Sequence, residues 1–587
     1  MTPTGARPDA SVAAARVITP VTSLRHFVST LHNPTNLIFL VVGITVAFLA
    51  LYPTVFLFYG SFTDAPIGIP GKLTLKNYLQ VFSDRETYSL MVNSICFALG
   101  SSTFSLLIGL ALAWITVRTN APFKALFELT AIIPNVLPGL LVAISWVFLL
   151  NPTNGLLNAV CEHLIGIRPF NIYSVWGLIW VEGLITAPVA YLILAAALKG
   201  MDPALEEAAK VSGSSEVGLT WKVTFPLVRP AILAAWTLNF VRAIESFDTP
   251  AIIAVPARFE VFTTKIFREA MGSFPSNHNL AATFAVALLA IAFFLVYIYR
   301  RMTSRVERYA TVSGKAFSSR TTDLGRWRSL AAVVAFVLLI VMVLFPLLTL
   351  LLISFLPYYF VPTFADLPAL TFKHYHDIIR DDRVLTALWN SLRLAIGGAS
   401  LCMILATLIS YITVKTKIFG RQILEALAFI PWAFPGAALA MGLLWAYVDF
   451  PVPVFNTLWI LLIAYISRFL PYGLRATNST ILQIHNELEE ASVACGAGFA
   501  ATFRRIVVPL MGRGIVAGWI LLVTQLMREF GTSIFLYSPG AEPLGPLIFF
   551  LYQDSRYGAV AVLGLLLCVV SIIIVGAGLR FARLKVA

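Results

Sequence analysis

The sequence EEAAKVSGSSEVGLTWKVTFP at residues 206–226 returns, with changes, as EEASVACGAGFAATFRRIVVP at residues 489–509. In each copy a Glu is followed six residues later by a Gly and, thirteen residues after that Gly, by a Pro. The copies align without a gap, since Glu207 is matched by Glu490 and Pro226 by Pro509 at one constant separation. Each is a charged stretch between long apolar runs, which indicates one polar surface kept in two halves of the chain.

The composition predicts a polytopic membrane protein. The 587-residue chain is 59% hydrophobic and 12% charged, with a mean hydropathy of +0.84, whereas soluble domains carry about 25% charged residues. Its net charge of +13 fits the collection of Lys and Arg in cytoplasmic loops. No nucleic-acid partner is expected, because no basic, aromatic-rich soluble domain is present. The five cysteines have no CxxC spacing, so neither a disulfide framework nor a metal site is predicted.

Twelve apolar runs are long enough to cross about 30 Å of hydrocarbon. They cover roughly 37–60, 89–117, 125–150, 173–198, 230–254 and 280–299 in the first half, and 329–355, 385–414, 422–447, 457–482, 513–537 and 556–580 in the second. Basic residues occupy alternate connections, which predicts cytoplasmic termini. The expected fold class is an all-α polytopic membrane protein of about twelve transmembrane helices in two six-helix repeats.

The chain is predicted to have five parts. These are a cytoplasmic tail at 1–35, a first membrane half at 36–299 with a cytoplasmic loop at 200–229, a basic linker at 300–328, a second membrane half at 329–580 with a loop at 483–512, and a tail at 581–587. The first part lacks a short apolar core before a small-residue cleavage site, so it is interpreted as a tail and not as a signal peptide.

The repeat extends beyond the two loops. Asn93-Ser94 recurs as Asn390-Ser391, Val117-Arg118-Thr119 as Val414-Lys415-Thr416, and Pro134 and Pro138 as Pro431 and Pro435, all at one separation. Later matches, including Pro188 with Pro471, have a shorter separation, so the second half has lost residues, most simply where the outer loop at 151–172 is shortened to 448–456. The unchanged span order predicts parallel repeats about an axis along the membrane normal. The four repeated prolines are expected to kink the third and ninth spans.

The loop pattern resembles the cytoplasmic loop of binding-protein-dependent ABC importer permeases. That pattern is Glu-Ala-Ala, three residues, Gly, nine residues, an aliphatic residue, two residues and Pro. The matching residues are Glu207, Ala208, Ala209, Gly213, Val223 and Pro226, and Glu490, Ala491, Ser492, Gly496, Ile506 and Pro509. The two halves in one chain, with SFDTPA at 246–251 and EFGTSI at 529–534, resemble the ferric-iron-type branch, whose relatives include thiamine, polyamine and aminoalkylphosphonate permeases.

The resemblance implies a type I importer permease in a bacterial inner membrane. It would move a small solute, best ferric iron, from an outside binding protein into the cytoplasm by alternating access. Two ATPase subunits would dock on the loops, where Glu207 and Glu490 would anchor each loop and Gly213 and Gly496 would set its bend. No G-x-x-x-x-G-K-[ST] motif occurs, so this chain is expected to bind no cofactor, to be no enzyme, and to leave ATP and Mg²⁺ to the partner subunits.

Seven charged residues fall at membrane depth, where charges are costly and mark functional candidates. They are Glu182, Arg242, Glu245, Asp248, Arg468, Arg528 and Glu529. They line either a translocation path or its gate, or they form structural ion pairs between helices. Arg242 and Glu245 are three residues apart and can pair on one helix face.

No metal site is firmly assigned. If the solute is a hard trivalent cation, the carboxylates of Glu245, Asp248 and Glu529 are the expected transient contacts, because such cations prefer oxygen ligands. His374 and His376 lie two residues apart in an outer loop, where a solvated loop is favoured over a metal site.

One alternative comes from another class of protein. A secondary transporter also commonly has twelve spans in two parallel halves, but it would work without partner subunits. It gives no reason for two matching cytoplasmic loops. Within the importer class, thiamine, polyamines and aminoalkylphosphonates remain alternatives to ferric iron.

Overall fold

The computed structural model describes residues 34–135, 137–303 and 321–584. This part of the chain is almost entirely helical, and its only β-structure consists of two isolated bridges, Thr63 with Leu73 and Thr119 with Thr322. The predicted N-terminal tail lies outside the described residues except for its last two positions, and so do residues 304–320 of the predicted linker and the last three residues of the chain.

The helices of the first half follow the predicted spans, with short helices between them. They are α1 (Pro34–Phe62), α2 (Lys76–Ser83), α3 (Arg85–Ala113), α4 (Lys124–Ile132), α5 (Gly139–Leu150), α6 (Leu156–Ile165), α7 (Val175–Lys199), α8 (Pro203–Val211), α9 (Glu216–Leu219), α10 (Phe225–Glu245), α11 (Phe262–Phe267) and α12 (His278–Thr303).

The second half repeats this order. Its helices are α13 (Arg328–Leu339), α14 (Phe345–Phe355), α15 (Lys373–Arg380), α16 (Asp382–Lys415), α17 (Arg421–Phe429), α18 (Gly436–Tyr447), α19 (Leu458–Ile481), α20 (Asn486–Ala494), α21 (Phe499–Thr502), α22 (Val508–Leu510), α23 (Gly512–Met527), α24 (Ser533–Leu536), α25 (Leu544–Gln553) and α26 (Tyr557–Leu584).

The span count agrees with the prediction of about twelve. Within the described ranges, nine helices are long and apolar enough to cross a membrane, and two bent pairs raise the number to as many as eleven. The pair α4 and α5 corresponds, at both of its ends, to the bent pair α17 and α18 in the register that relates Pro134 to Pro431. By the repeat, this pair therefore supplies the remaining span. The all-α repeated fold predicted from the sequence is confirmed.

The prolines do more than kink the third and ninth spans. A short 3-10 turn at Pro431–Ala433 separates two helical segments that meet at 105°. The new helices begin at Gly139 and Gly436, each directly after a proline. Proline lacks the N–H that would continue the helical hydrogen bonding, so each span is broken at mid-depth and a helix N-terminus faces the interior.

The prediction of continuous fifth and eleventh spans, 230–254 and 513–537, is wrong. Helix α10 ends at Glu245 and α23 ends at Met527, each beside charged residues. Ser246 is extended, with φ −61° and ψ 133°, and Pro250 has no N–H to donate to the Ser246 carbonyl. The chain then continues through short turns, so two polar breaks lie inside the membrane.

The two halves interlock. The first helix of the first half, α1, packs on α18 and α17 of the second half, while α14 and α13 of the second half pack on α5 and α4 of the first. Each opening span therefore lies across the other half. These contacts hold the two halves together at their edges and leave an interface between them.

The repeated Asn-Ser pairs hold the loops around Glu260 and Glu542. Asn390 donates to the Gly540 and Glu542 carbonyls, and the Leu544 amide donates to Ser391. In the first half, likewise, Asn93 donates to the Glu260 carbonyl at 3.0 Å, and the Phe262 amide donates to Ser94 at 3.0 Å. A backbone carbonyl that is buried without a hydrogen-bond donor is costly, and the Asn side-chain amide supplies that donor. This contact explains why the Asn-Ser pair is repeated in both halves.

Candidate functional site

All seven charged residues predicted at membrane depth line one cavity. It has a volume of about 180 Å³ and is bounded by both halves of the chain. Glu182, Arg242, Glu245 and Asp248 come from the first half, and Arg468, Arg528 and Glu529 come from the second. Burial of so many charges requires partners or water, so the contacts of each decide what the cavity can do.

Arg468 connects the two halves across the cavity. Its guanidinium lies 3.4 Å from the Glu529 carboxylate of its own half and 3.9 Å from the Glu245 carboxylate of the other half. It also donates to the Thr532 hydroxyl at 2.6 Å. The pairing of Arg242 with Glu245 expected from their spacing is not formed within 4 Å, since Glu245 ends α10 and faces Arg468 instead.

Glu182 holds the break of the fifth span against α7. Its side chain is 4% exposed and accepts hydrogen bonds from Ser246 at 3.0 Å and from Thr249 at 2.7 Å. At the equivalent place in the second half, in the register that relates the two loops, Tyr465 shares a hydrogen bond of 2.7 Å with Ser533. The break is therefore held by a carboxylate in the first half and by a phenol hydroxyl in the second.

Two glycines give the charged groups room. Gly436 begins α18, and a Cβ at this position would overlap the Arg468 guanidinium. Gly139 holds the equivalent place in the first half, and a Cβ there would lie 3.1 Å from the Asp248 carboxylate. The absence of a side chain lets each charged group lie directly against a helix N-terminus. Nothing in the sequence indicated these contacts beyond the repeated Pro-Gly.

The cavity has no preformed metal site among the described residues. No group of three or more His, Cys, Asp or Glu side chains in this part of the chain could hold a metal ion. Arg528 bonds to Gln525 at 2.9 Å. Outside the cavity, the His374 ring lies 2.9 Å from the Leu356 carbonyl, so this histidine serves a contact within the chain. A solute in the cavity would meet both carboxylates and guanidinium groups.

An aromatic stack beside the cavity was missed from the sequence. Phe247 and Phe530 follow the charged residues of the two breaks and stack at a centroid distance of 5.6 Å. They are related by the register that aligns Glu207 with Glu490, so the stack joins equivalent positions of the two halves. Phe267, Phe535 and Phe549 surround it, and both stacked rings are buried. The signal was the shared Phe in SFDTPA and EFGTSI.

The two repeated loops fold as a short helix, a bend and a second short helix, as predicted. Gly213 and Gly496 have φ values of +84° and +82°, in the left-handed region that favours glycine. Each helix ends in the same pair of backbone hydrogen bonds, with the residue after the Gly donating to Ala209 or Ser492. This is the Schellman arrangement of a helix C-terminus. A π-helical turn follows in both copies, at Thr220–Thr224 and Phe503–Val507.

The carboxylate that anchors each loop is one residue earlier than predicted. Glu206 binds Arg118 through both of its oxygens at 3.0 Å, with the two side chains 3% and 4% exposed, and accepts from Thr224 at 2.9 Å. Glu207 is exposed, so the expectation that it anchors the loop within this chain is wrong. One helical position, about 100°, separates a side chain facing the membrane helices from one facing solvent.

The second loop uses the equivalent pair with weaker burial. Lys415 lies 3.1 Å from Glu489, which also accepts from Tyr411 at 2.8 Å, while Glu490 is exposed. Ser492, which departs from the Glu-Ala-Ala pattern, shares a hydrogen bond of 2.9 Å with Thr502. The repeated Arg118 and Lys415 of the second and eighth spans therefore carry the anchors.

A chain of two six-helix repeats that enclose a charged cavity has the construction of a membrane permease. It belongs to the family described as the binding-protein-dependent transport system inner membrane component, which matches residues 105–308 and 398–582. These matches cover more than half of the chain and fall once in each repeat. Membership decides against the secondary transporter.

Two relatives align with both halves of the chain, as expected for a permease whose two halves are fused. The chain is 24% identical to the ferric transport system permease protein FbpB of Actinobacillus pleuropneumoniae, over 90% of this chain and 76% of that protein. It is 25% identical to the putative ferric transport system permease protein FbpB 1 of Haemophilus influenzae, over 84% of this chain and 76% of that protein. The predicted resemblance to fused ferric-type permeases is confirmed.

Shorter similarities reach other transporters. The spermidine/putrescine transport system permease protein PotC of Escherichia coli is 25% identical over 37% of this chain and 81% of that protein. Among solved structures, a bacterial alginate ABC transporter in complex with an alginate pentasaccharide-bound periplasmic protein matches 40% of this chain and 84% of its own, at 18% identity and a TM-score of 0.36.

Replacing Gly436 by Ala should impair transport without unfolding the chain. The new methyl group would displace the Arg468 guanidinium, and overpacking of this kind costs about 1–3 kcal/mol. If about 1.4 kcal/mol of that raises the transport barrier, uptake falls tenfold. Gly397→Ala is the control, since a Cβ there meets nothing within 4 Å. Equal uptake by the two variants at equal expression would contradict the role given to this contact.

Replacing Glu206 by Ala should destabilise the chain far more than replacing its neighbour Glu207. Removing one partner of a buried ion pair costs about 3–5 kcal/mol, whereas exposed substitutions stay within about 0.5 kcal/mol. Glu489→Ala should fall between them, because Lys415 keeps its bonds to the Ile484 carbonyl and to Asn486. The measurement is the apparent melting temperature in detergent, and a Glu207 variant as unstable as the Glu206 variant would overturn the assignment.

Proposed function

We propose that this chain is the membrane permease of an ATP-driven importer that moves ferric iron into the cytoplasm by alternating access. The observation that carries the proposal is the convergence of seven charged residues from both halves on one cavity. Because a charged side chain inside a membrane is energetically costly, such residues are candidates for a solute path by default. Their position between the two repeats supports a path along the pseudo-twofold axis.

The cavity contacts support alternating access. Arg468 binds carboxylates of both halves, and Phe247 stacks on its counterpart Phe530 across the same boundary. If the halves part on the outer side, the Arg468–Glu245 contact and the stack separate together. The glycines against the charged groups allow these contacts to form closely in one state and to be released in the other.

Ferric iron is supported by likeness and by the chemistry of the cavity. Three of the relatives that align over most of this chain carry ferric or Fe(3+) transport in their names. Glu245, Asp248 and Glu529 offer the carboxylate oxygens that hard cations prefer. Because Arg468 pairs with two of these acids, a cation would displace the arginine as it passes. Such a site suits brief contact with the cation and not stable binding.

The loops are proposed to receive two ATPase subunits, which bind ATP and Mg²⁺ in place of this chain. Glu207 and Glu490 are exposed beside the small residues Ala208 and Ala491. Small side chains let another protein approach the backbone closely, while Glu206 and Glu489 transmit a push on the loop to the second and eighth spans. A soluble binding protein would deliver the solute at the outer face of this bacterial inner-membrane protein, with both termini cytoplasmic.

The proposal predicts that a tagged chain retains an ATP-hydrolysing subunit through its loops. Ala208→Glu and Ala491→Glu place bulk and charge on an exposed surface without disturbing the anchors, so each should reduce the retained ATPase activity. The matched control is Leu164→Glu on the outer helix α6, where Leu164 is also exposed. The measurement is ATP hydrolysis by protein purified from native cells in mild detergent.

Two outcomes would count against the proposal. A tagged chain that never retains an ATPase, and that supports uptake in ATP-free vesicles, would overturn the importer function. Retention of the ATPase together with a co-purified binding protein that carries spermidine or thiamine instead of iron would overturn the solute and leave the importer standing.

A further inference from the structure

A second cavity lies at a membrane interface, away from the charged one. Its volume is about 370 Å³, and it is formed where α1 meets the end of α18. Its walls include five aromatic rings and one carboxylate, from Tyr52, Phe56, Tyr59, Trp445, Phe450 and Asp449. This aromatic pocket has no part in the proposed transport function.

The position of the pocket places it at the level of lipid headgroups. Tyr59 lies near the C-terminal end of α1, roughly 33 Å beyond Leu37, where the apolar span begins, at about 1.5 Å per residue. This is the far edge of the roughly 30 Å of hydrocarbon. In the proposed orientation this is the outer interface. The exposed side chains of α1 form a stripe at spacings of three and four, namely Leu37, Val41, Ile44, Phe48, Leu51, Val55 and Phe58. Val55 belongs to that stripe and also lines the pocket, so the pocket opens toward lipid.

The polar ends of the aromatic residues are already engaged. The Tyr52 hydroxyl donates to the Ala446 carbonyl at 3.1 Å, the Tyr59 hydroxyl accepts from the Gly71 amide at 3.4 Å, and the Trp445 ring nitrogen donates to the His278 carbonyl at 3.5 Å. The rings therefore offer their carbon surfaces to the cavity. Tyr52 and Phe450 lie 5.9 Å apart between centroids, and Tyr59 and Trp445 lie 6.0 Å apart.

One negative charge completes the pocket. Asp449 is exposed, and within the described ranges it has no ion pair within 4 Å. None of the residues that line the pocket is basic. Aromatic faces with a carboxylate and no competing cation are the chemistry that recognises an ammonium group. An anionic headgroup would meet the Asp449 charge without compensation.

The described residues at the equivalent place in the first half differ from those that line the pocket. Phe148 corresponds to Trp445 in the register that relates Pro138 to Pro435, and Tyr359 packs on it at 4.8 Å. The Tyr359 hydroxyl fills the remaining space by donating to the Phe148 and Asn154 carbonyls. Pro152 stands where the second half has Asp449. The repeated scaffold does not require the pocket, which arises where the outer loop is shortened.

We propose that the aromatic pocket binds the ammonium headgroup of a membrane phospholipid, with the ring faces and the Asp449 carboxylate as the recognising groups. The opening at the lipid-facing stripe favours a lipid over a soluble amine. The acyl chains would lie along the exposed stripe of α1, and the phosphate would remain at the mouth. Such a lipid would cover the seam between α1 of the first half and α18 of the second.

The test is lipid binding to the full-length chain in detergent, measured by native mass spectrometry. The probes are phosphatidylethanolamine, phosphatidylcholine and phosphatidylglycerol with identical acyl chains, together with tetramethylammonium chloride. The two ammonium lipids should bind about fivefold better than phosphatidylglycerol. Asp449→Asn and Phe450→Leu should each reduce this preference. Asp554→Asn is the control, because Asp554 is an exposed carboxylate remote from the pocket.

Three results would overturn the proposal. The first is equal binding of all three lipids, and the second is an unchanged preference in the Asp449 variant. The third is binding of tetramethylammonium that depends on Asp449 without any headgroup preference among lipids, which would assign the pocket to a soluble amine. None of these results bears on ATP-driven import.

Discussion

The arrangement of the two halves depends on the ion pairs that neutralise charged side chains inside the membrane. Arg468 contacts carboxylates of both halves, Glu529 of its own half and Glu245 of the other. A lone charge inside the membrane costs several kcal/mol. Removing one partner of a buried ion pair therefore destabilises a protein more than replacing both partners by apolar residues. The interface between the halves therefore carries the charges, and the breaks in the fifth and eleventh spans place them there. The same arrangement holds the halves together and lines the cavity between them.

The two halves share a backbone but not a charge pattern. At equivalent places in the register of the two loops, Glu245 is matched by Arg528, and Glu182 is matched by Tyr465. Opposite charges at equivalent positions let the halves attract each other across the axis, where identical charges would repel. The two repeated loops also differ, since Glu206 is buried against Arg118 while Glu489 is partly exposed beside Lys415.

The sequence predicted the repeat, because hydropathy, basic residues and equal separations in sequence report directly on spans and topology. It placed the seven charges at membrane depth but left open whether they line a path or form ion pairs. It failed at contacts between segments distant in sequence. The spacing of Arg242 and Glu245 suggested a local pair, but the end of α10 turns Glu245 toward Arg468. The pattern Glu-Ala-Ala drew attention to Glu207, although the buried anchor is Glu206. The stack of Phe247 on Phe530 and the space left by Gly436 depend on the position of the pseudo-twofold axis, which composition and periodicity do not define.

In the proposed function the two halves part at the charged cavity during each transport cycle. This separation is tested most directly by joining Phe247 and Phe530, whose rings are 5.6 Å apart between centroids. In a chain whose five native cysteines are replaced, Phe247→Cys and Phe530→Cys are introduced together and linked by a short cleavable thiol cross-linker, and ATP-dependent uptake is measured. The account predicts that the linked protein stops transporting and that cleavage of the linker restores uptake. Full transport by the linked protein would contradict it.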